Sequence, residues 1–424
     1  MSPTRREFLK ASLGASAILS LGAAAPAVFR RAALAAGERR DAKDTVLILV
    51  QLSGGNDGLN TVVPYDNDDY ARGRATLRLA AKDVHKIDDQ LGFHAEAEPL
   101  LRLFREKHLS ILQGVGYPRP SGDHTVAMLD WQTARPGQTN RQTGWVGRVI
   151  DGIRNEGEGD VPAVHVAEIK QPFTLNAERT ITPTINAHGD AMLQPHGDAE
   201  PQQSQRRRLA EAAQLPRDAA PGSLLEHLQT SSRAAYTKSS RIEEAARAMS
   251  AAGSADYPPF PLAQRLRMIT RLIQAEVGVR IYCTDLGTGE PGGFDTHANQ
   301  RDNHAALLRQ LSLSMAAFVD GLEREKLLDR VLLMTFSEFG RTVKENGRRG
   351  TDHGSAQPIF LAGGRLKGGL IGAHPSLTEL ENGGPKHHTD FRRVYATVLD
   401  RWLGFDSRPA VGEGFEPLDV FEGA

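Results

Sequence analysis

Acids and imidazoles recur along this chain in short polar stretches. Asp57 lies in SGGNDGLN, Asp123 and His124 in SGDHT, and Asp295 and His297 in GFDTH, with His304 shortly after. Glu338 and Arg341 share SEFGR, Asp352 and His353 share TDHGS, and His387, His388 and Asp390 share KHHTD. Carboxylate oxygens mixed with imidazole nitrogens form the donor set that zinc-class divalent metals take. Two such ions a few ångströms apart would clamp the attacking and leaving oxygens of an in-line displacement. Singly, each stretch reads more simply as a turn or a helix cap. Their collective placement has to decide.

The elements that carry them supply that placement. Residues 44–52, DTVLILVQL, form a continuous apolar run without helical period, as expected of a strand buried on both faces. LSILQGVGY, VPAVHVA, VGVRIYCTDL, RVLLMTFSE and QPIFLAGG read as further strands. HAEAEPLLRLFREKH, DHTVAMLDWQTA (with Asp123 as its cap), HAALLRQLSLSMAAFVDGLEREKLL and FRRVYATVLDRWLG read as helices. The alternation predicts an α/β fold with a mainly parallel sheet sandwiched by helices over about residues 43–420. From about 170 to 275 the chain turns polar, Ala-rich and charged, which predicts a helical insertion or cap. Ligands of open α/β sheets gather outside the carboxyl ends of the strands. The acid and histidine stretches follow predicted strands, so one sheet edge is expected to hold them.

The chain begins with a segment to be set apart from the fold. Arg5 and Arg6 precede a mild Ala-rich apolar run, and Ala33–Leu34–Ala35 offers a peptidase its small residues. This predicts a twin-arginine signal over residues 1–36, export in the folded state through the twin-arginine translocase, and a periplasmic or secreted product with no stable membrane span after cleavage. The formal charge of −1 includes the basic leader, so the remainder is more acidic still and offers no electrostatic case for nucleic acid. The single cysteine, Cys283, has no partner for an internal disulfide and is expected to be a buried thiol.

In chain order, QLSGGNDGLNTVVPY, GVGYP followed by DHTVAMLDWQTA, GGFDTHANQ, TFSEFGRT, GTDHGSAQPIFLAGG and HTDFRRVYATVLDRWLG resemble the alkaline phosphatase and sulfatase superfamily. Within it, the chain is similar to an uncharacterised bacterial family of twin-arginine-exported proteins. The resemblance implies metal ligation by Asp57, by Asp295 with His297 (or His304), by Asp352 with His353, and by His388. Two places depart from the superfamily pattern. Asp123 stands directly before His124 where relatives place serine, leaving Ser121 or Thr125 as the hydroxyl nucleophile and Asp123 as ligand or base. Glu338 occupies the slot after its strand where the Asp-His pair is expected, and TDHGS arrives one loop later. Glu338 is therefore a further candidate ligand, while Arg341 and His124 are candidates for binding an anionic group.

These readings predict a hydrolase of phosphate or sulfate esters, such as those on a glycan, using one or two divalent ions of the zinc, calcium or magnesium class. The alternative is a non-catalytic relative that keeps the fold to bind a partner.

Overall fold

The computed structural model describes residues 45–152, 162–180, 182–188, 191–192, 240, 242–245, 257–288 and 293–423. The expected leader and most of the expected insertion lie outside the described residues.

Six strands build most of the main sheet: β1 (Val46–Leu52), β2 (Leu109–Gly116), β3 (Ala163–Val166), β4 (Ile281–Leu286), β5 (Val331–Phe336) and β6 (Gln357–Gly363). Their spatial order is β2-β6-β5-β1-β4-β3, extended at both edges by two-to-three-residue strands. β1 pairs in parallel with β5 and β4, and β4 in parallel with β3. β6 runs antiparallel to both β5 and β2. The class is α/β with a mostly parallel sheet, and β6 is the exception because it returns beside β5 without a crossover helix.

The apolar run of β1 follows from what covers it. Val46, Ile48, Val50 and Leu52 enter one core, with Leu100 of α1 (Glu98–Arg105) and Leu308 of a long helix described below. Leu47 and Leu49 enter the opposite core, with Trp131 of α2 (His124–Thr133), Trp145 of α3 (Trp145–Gly152) and Tyr395 near the C-terminus. Alternate side chains point to opposite faces of a strand, so a sheet with helices on both faces has no polar register.

Two more helices cover the first core: α4 (Pro261–Gln274) and α5 (Gln300–Arg324). α5 is long and apolar enough to cross a membrane by length and composition, but 72% of its apolar window is buried here, as in a core helix. Cys283 is a buried free thiol on β4.

Two histidines are also enclosed. Burial pushes His165 on β3 and His304 on α5 down to about 3 from an ordinary 6.5. Both are therefore neutral in the folded chain. In the unfolded chain each binds a proton below its ordinary value, so between those limits the unfolded state holds more protons. Stability from this source is complete above about pH 6.5 and is lost as pH falls toward 3. Urea midpoints at pH 7, 5.5 and 4 should fall in that order, and His304→Gln should remove part of the slope. A flat profile would show the rings already charged in the fold.

Candidate metal centre

The strand ends are brought together by backbone contact. β1 runs into Ser53, Gly54 and Gly55, the two glycines having φ of +115° and +81°. A Cβ on Gly54 would collide with the backbone of Phe294 and Asp295, so only glycine fits where these loops cross. Gly54 N donates to Glu338 Oε1 at 2.8 Å, just past the end of β5.

TDHGS reaches the same edge by a hairpin. Residues Arg341–Glu345 and Thr351–His353 pair antiparallel, with Arg341 opposite His353. The detour therefore cancels itself, and His353 arrives beside the residues that follow Glu338. Its ring stacks on Phe339, with centroids 4.4 Å apart.

Four side chains converge here. His124, Asp295, His297 and His353 each offer one donor atom, and these atoms lie within 4.8 Å of one another. Asp295 Oδ1 is 3.4 Å from His124 Nε2, 3.2 Å from His297 Nε2 and 3.4 Å from His353 Nε2. The Nε2 atoms of His297 and His353 are 2.8 Å apart.

The opposite nitrogen of each ring explains this convergence. His124 Nδ1 meets Glu338 Oε1 at 2.9 Å, His297 Nδ1 meets Asp352 Oδ1 at 3.0 Å, and His353 Nδ1 meets the Gly122 carbonyl at 2.6 Å. All three partners only accept, once the carboxylates are ionised, so each ring donates Nδ1–H. In the neutral ring, Nε2 then carries a lone pair, and the three lone pairs face one carboxylate oxygen. Such a concentration of acceptors is repulsive unless a proton or a cation lies between them. Moreover, His124 Nε2 is buried without a hydrogen-bond partner among the described residues. Three imidazole nitrogens and one carboxylate oxygen fit a zinc-class ion, whereas calcium and magnesium sites are built from oxygens.

The surrounding charges act in the same direction. Burial raises the Asp295 carboxyl, but the hydrogen bond and charge of Arg341 outweigh it and hold the group below its ordinary value. Asp352 is lowered by its hydrogen bond from Asn346 and also by His297. Burial lowers His353, favouring the neutral ligand form. The hydrogen bond from His124 to Glu338 raises His124, so a proton competes with metal for that ring.

The other expected residues are placed differently. Asp57 is fully buried, bound by Arg74 Nη1 at 2.5 Å and Nη2 at 2.9 Å and by Gln300 Nε2. His304 Nε2 meets Asn56 Oδ1 at 3.1 Å. His388 contacts Thr389 and the Ala373 carbonyl. Glu338 and Asp352 stand behind the imidazoles as their hydrogen-bond partners. Arg341 is 1% exposed and directs its donors at Asp295 and at the carbonyls of Gly54, Gly55, Phe294 and Thr351. Asp123 caps α2 by accepting from Val126 N at 3.0 Å, Ser121 Oγ accepts from Asp123 N at 3.1 Å, and Thr125 is exposed. His124 as a donor in this cluster was not read from the sequence. Its position on the first turn of a helix that follows a strand end was the available signal.

Glu338→Gln should keep the volume but weaken the orientation and basicity of His124. Zinc affinity, read by competition with a chromogenic chelator, should fall about 10- to 100-fold. Thermal unfolding of the same variant checks that the fold remains.

No curated protein matches the chain in sequence. Among solved structures, it is similar to a sulfatase from Pseudoalteromonas sp., at TM-score 0.37 and 12% identity over 93% of this chain and 74% of that one. A protein in the alkaline phosphatase superfamily from Vibrio parahaemolyticus gives 0.36 and 9%, over 88% and 70%. The C-terminal periplasmic domain of EcEptC from Escherichia coli, in complex with Zn, gives 0.32 and 11%, over 77% and 75%. At these scores the likeness is loose. A family profile, described as "Protein of unknown function (DUF1501)", matches residues 110–412, and the chain belongs to that family.

Proposed function

We propose that this chain is an exported metal-dependent hydrolase of phosphate or sulfate esters, including esters carried on a glycan. One divalent ion of the zinc class would be held by His124, Asp295, His297 and His353. The observation that carries this reading is the convergence of three imidazole Nε2 atoms on Asp295 Oδ1. When bound, the ion supplies Lewis-acid charge for an ester oxygen.

The chain's own groups divide the remaining work. Glu338 and Asp352 orient two of the ligand rings. Arg341 holds Asp295 ionised and in place, and with its donors spent internally it is a positioning residue. The N-terminus of α2 faces the same edge, where its partial positive charge favours an anionic ester. Thr125 and Ser121 flank His124 as hydroxyl groups available to the reaction. The Arg5-Arg6 leader supports export in the folded state, with the metal already bound.

Protein purified without chelator should carry about one equivalent of zinc-class metal by mass spectrometry. His297→Ala and His353→Ala should each lose it, and aryl phosphate or aryl sulfate turnover should drop at least about 100-fold. Turnover that survives both substitutions would refute the reading.

A second reading also has an observation behind it. Four protein side chains offer as many donors as a structural zinc site takes, which would leave no position open for an ester. Full metal occupancy with no turnover of any ester would favour the non-catalytic binding protein.

A further inference from the structure

A separate cavity of about 620 Å³ opens at the carboxyl ends of the strands. It is lined by the carboxyl ends of three parallel strands: Gln51 of β1, His165 of β3, and Thr284 and Asp285 of β4. Gln132 from the end of α2 and the segment from Ile169 to Phe173 with Asn176 complete it. Its volume falls in the range of about 300–1,000 Å³ usual for small-molecule sites.

The cavity is built, and its polar groups are fixed. Gln132 Nε2 donates to Gln51 Oε1 at 2.7 Å, Gln51 Nε2 to Ser53 Oγ at 2.8 Å, and Thr288 Oγ1 to Ser53 Oγ at 2.5 Å. This chain of bonds orients both amides. The opposite wall is held by α3, since Gly144 N donates to the Asn176 carbonyl at 2.8 Å. Any Cβ on Gly144 or Gly147 would strike the backbone of Phe173, Thr174 or Asn176. Thr284 borders the cavity at the end of β4, but its side chain turns with Val50 to the other face of the sheet.

The chemistry of the lining selects the ligand. Asp285 is paired with Arg265 at 2.9 Å, and burial keeps His165 neutral, which leaves exposed Lys170 as the charge at the rim. Amides from Gln51, Gln132, Gln171 and Asn176 both donate and accept, as does the hydroxyl of Thr288. Phe173, Ile169 and Pro172 add an apolar surface. Among the described residues an ionic ligand would find too few counter-charges here, and a purely apolar one would leave the amides unpaired. A molecule with hydroxyls around its edge and C–H faces meets both demands.

We propose that this cavity binds a neutral sugar unit of an oligosaccharide. The inference rests on the hydrolase reading only in naming what the ester is attached to; the cavity contains none of the metal-binding side chains. α2 links the two places, running from His124 at the metal centre to Gln132 in the cavity wall, about 12 Å along the helix axis. A glycan seated here would extend toward the metal with its next residues.

The test is calorimetric titration of the full chain with maltotriose, cellotriose and chitotriose, with and without EDTA. At least one trisaccharide should bind saturably, and EDTA should leave that binding unchanged. Gln132→Ala removes the amide that the end of α2 places in the wall, and thermal unfolding checks that the fold remains; it and Gln171→Ala should each weaken binding about tenfold or more. Failure of all three sugars to bind, or binding that neither substitution alters, overturns the proposal. Sugar binding in a protein that turns over no ester upholds it and removes the hydrolase reading instead.

Discussion

The Arg341 guanidinium, enclosed at 1% exposure, reaches the carbonyls of Gly54, Gly55, Phe294 and Thr351 and the Asp295 carboxylate together. It thereby ties the end of β1, the loop carrying Asp295 and the hairpin strand carrying His353 into one structure. A buried charge is tolerated only when it is so completely satisfied. The same demand makes the loops around it rigid, because each lost carbonyl would leave donors stranded. The cluster of His124, Asp295, His297 and His353 inherits its geometry from this constraint.

A fully buried ion pair lies within the same set of loops. Asp57 and Arg74 are both inaccessible to solvent, and Gln300 links Asp57 to the hydroxyls of Thr296 and Thr351. Thr351 directly precedes Asp352 and His353. Asp57 therefore acts on the centre through two intermediaries, although its position after the first strand marked it as a direct ligand. Arg74 forks onto both carboxylate oxygens of Asp57 and Gln300 donates to one of them, so the group nearest that carboxylate is a guanidinium.

Much of this architecture was legible in the residues. The strands announced themselves because helices cover both faces of the sheet, so burial leaves an uninterrupted apolar run, as in Val46–Leu52. Asp295, His297 and His353 were legible as metal candidates because they follow strands. The role of His124 was less so: a histidine on the first turn of a helix has many uses, and only the neighbouring rings specify one. Glu338 and Asp352 were read as ligands, and the structure places them one step behind. Carboxylates that bind metal and those that orient its histidines look alike in sequence, since both need the same atoms in the same region.

What the sequence determined by itself was the layered α/β plan and the gathering of acids and imidazoles at one edge, since hydrophobic period and strand direction are local properties of the chain. Which of those groups meet was decided by the tertiary structure alone. TDHGS stood one loop too late until the Arg341–His353 pairing folded the intervening hairpin back. Asp57 stood in the expected place until Arg74 occupied it. Both outcomes depend on contacts between residues far apart in the chain, and convergence to within a few ångströms is set by such contacts.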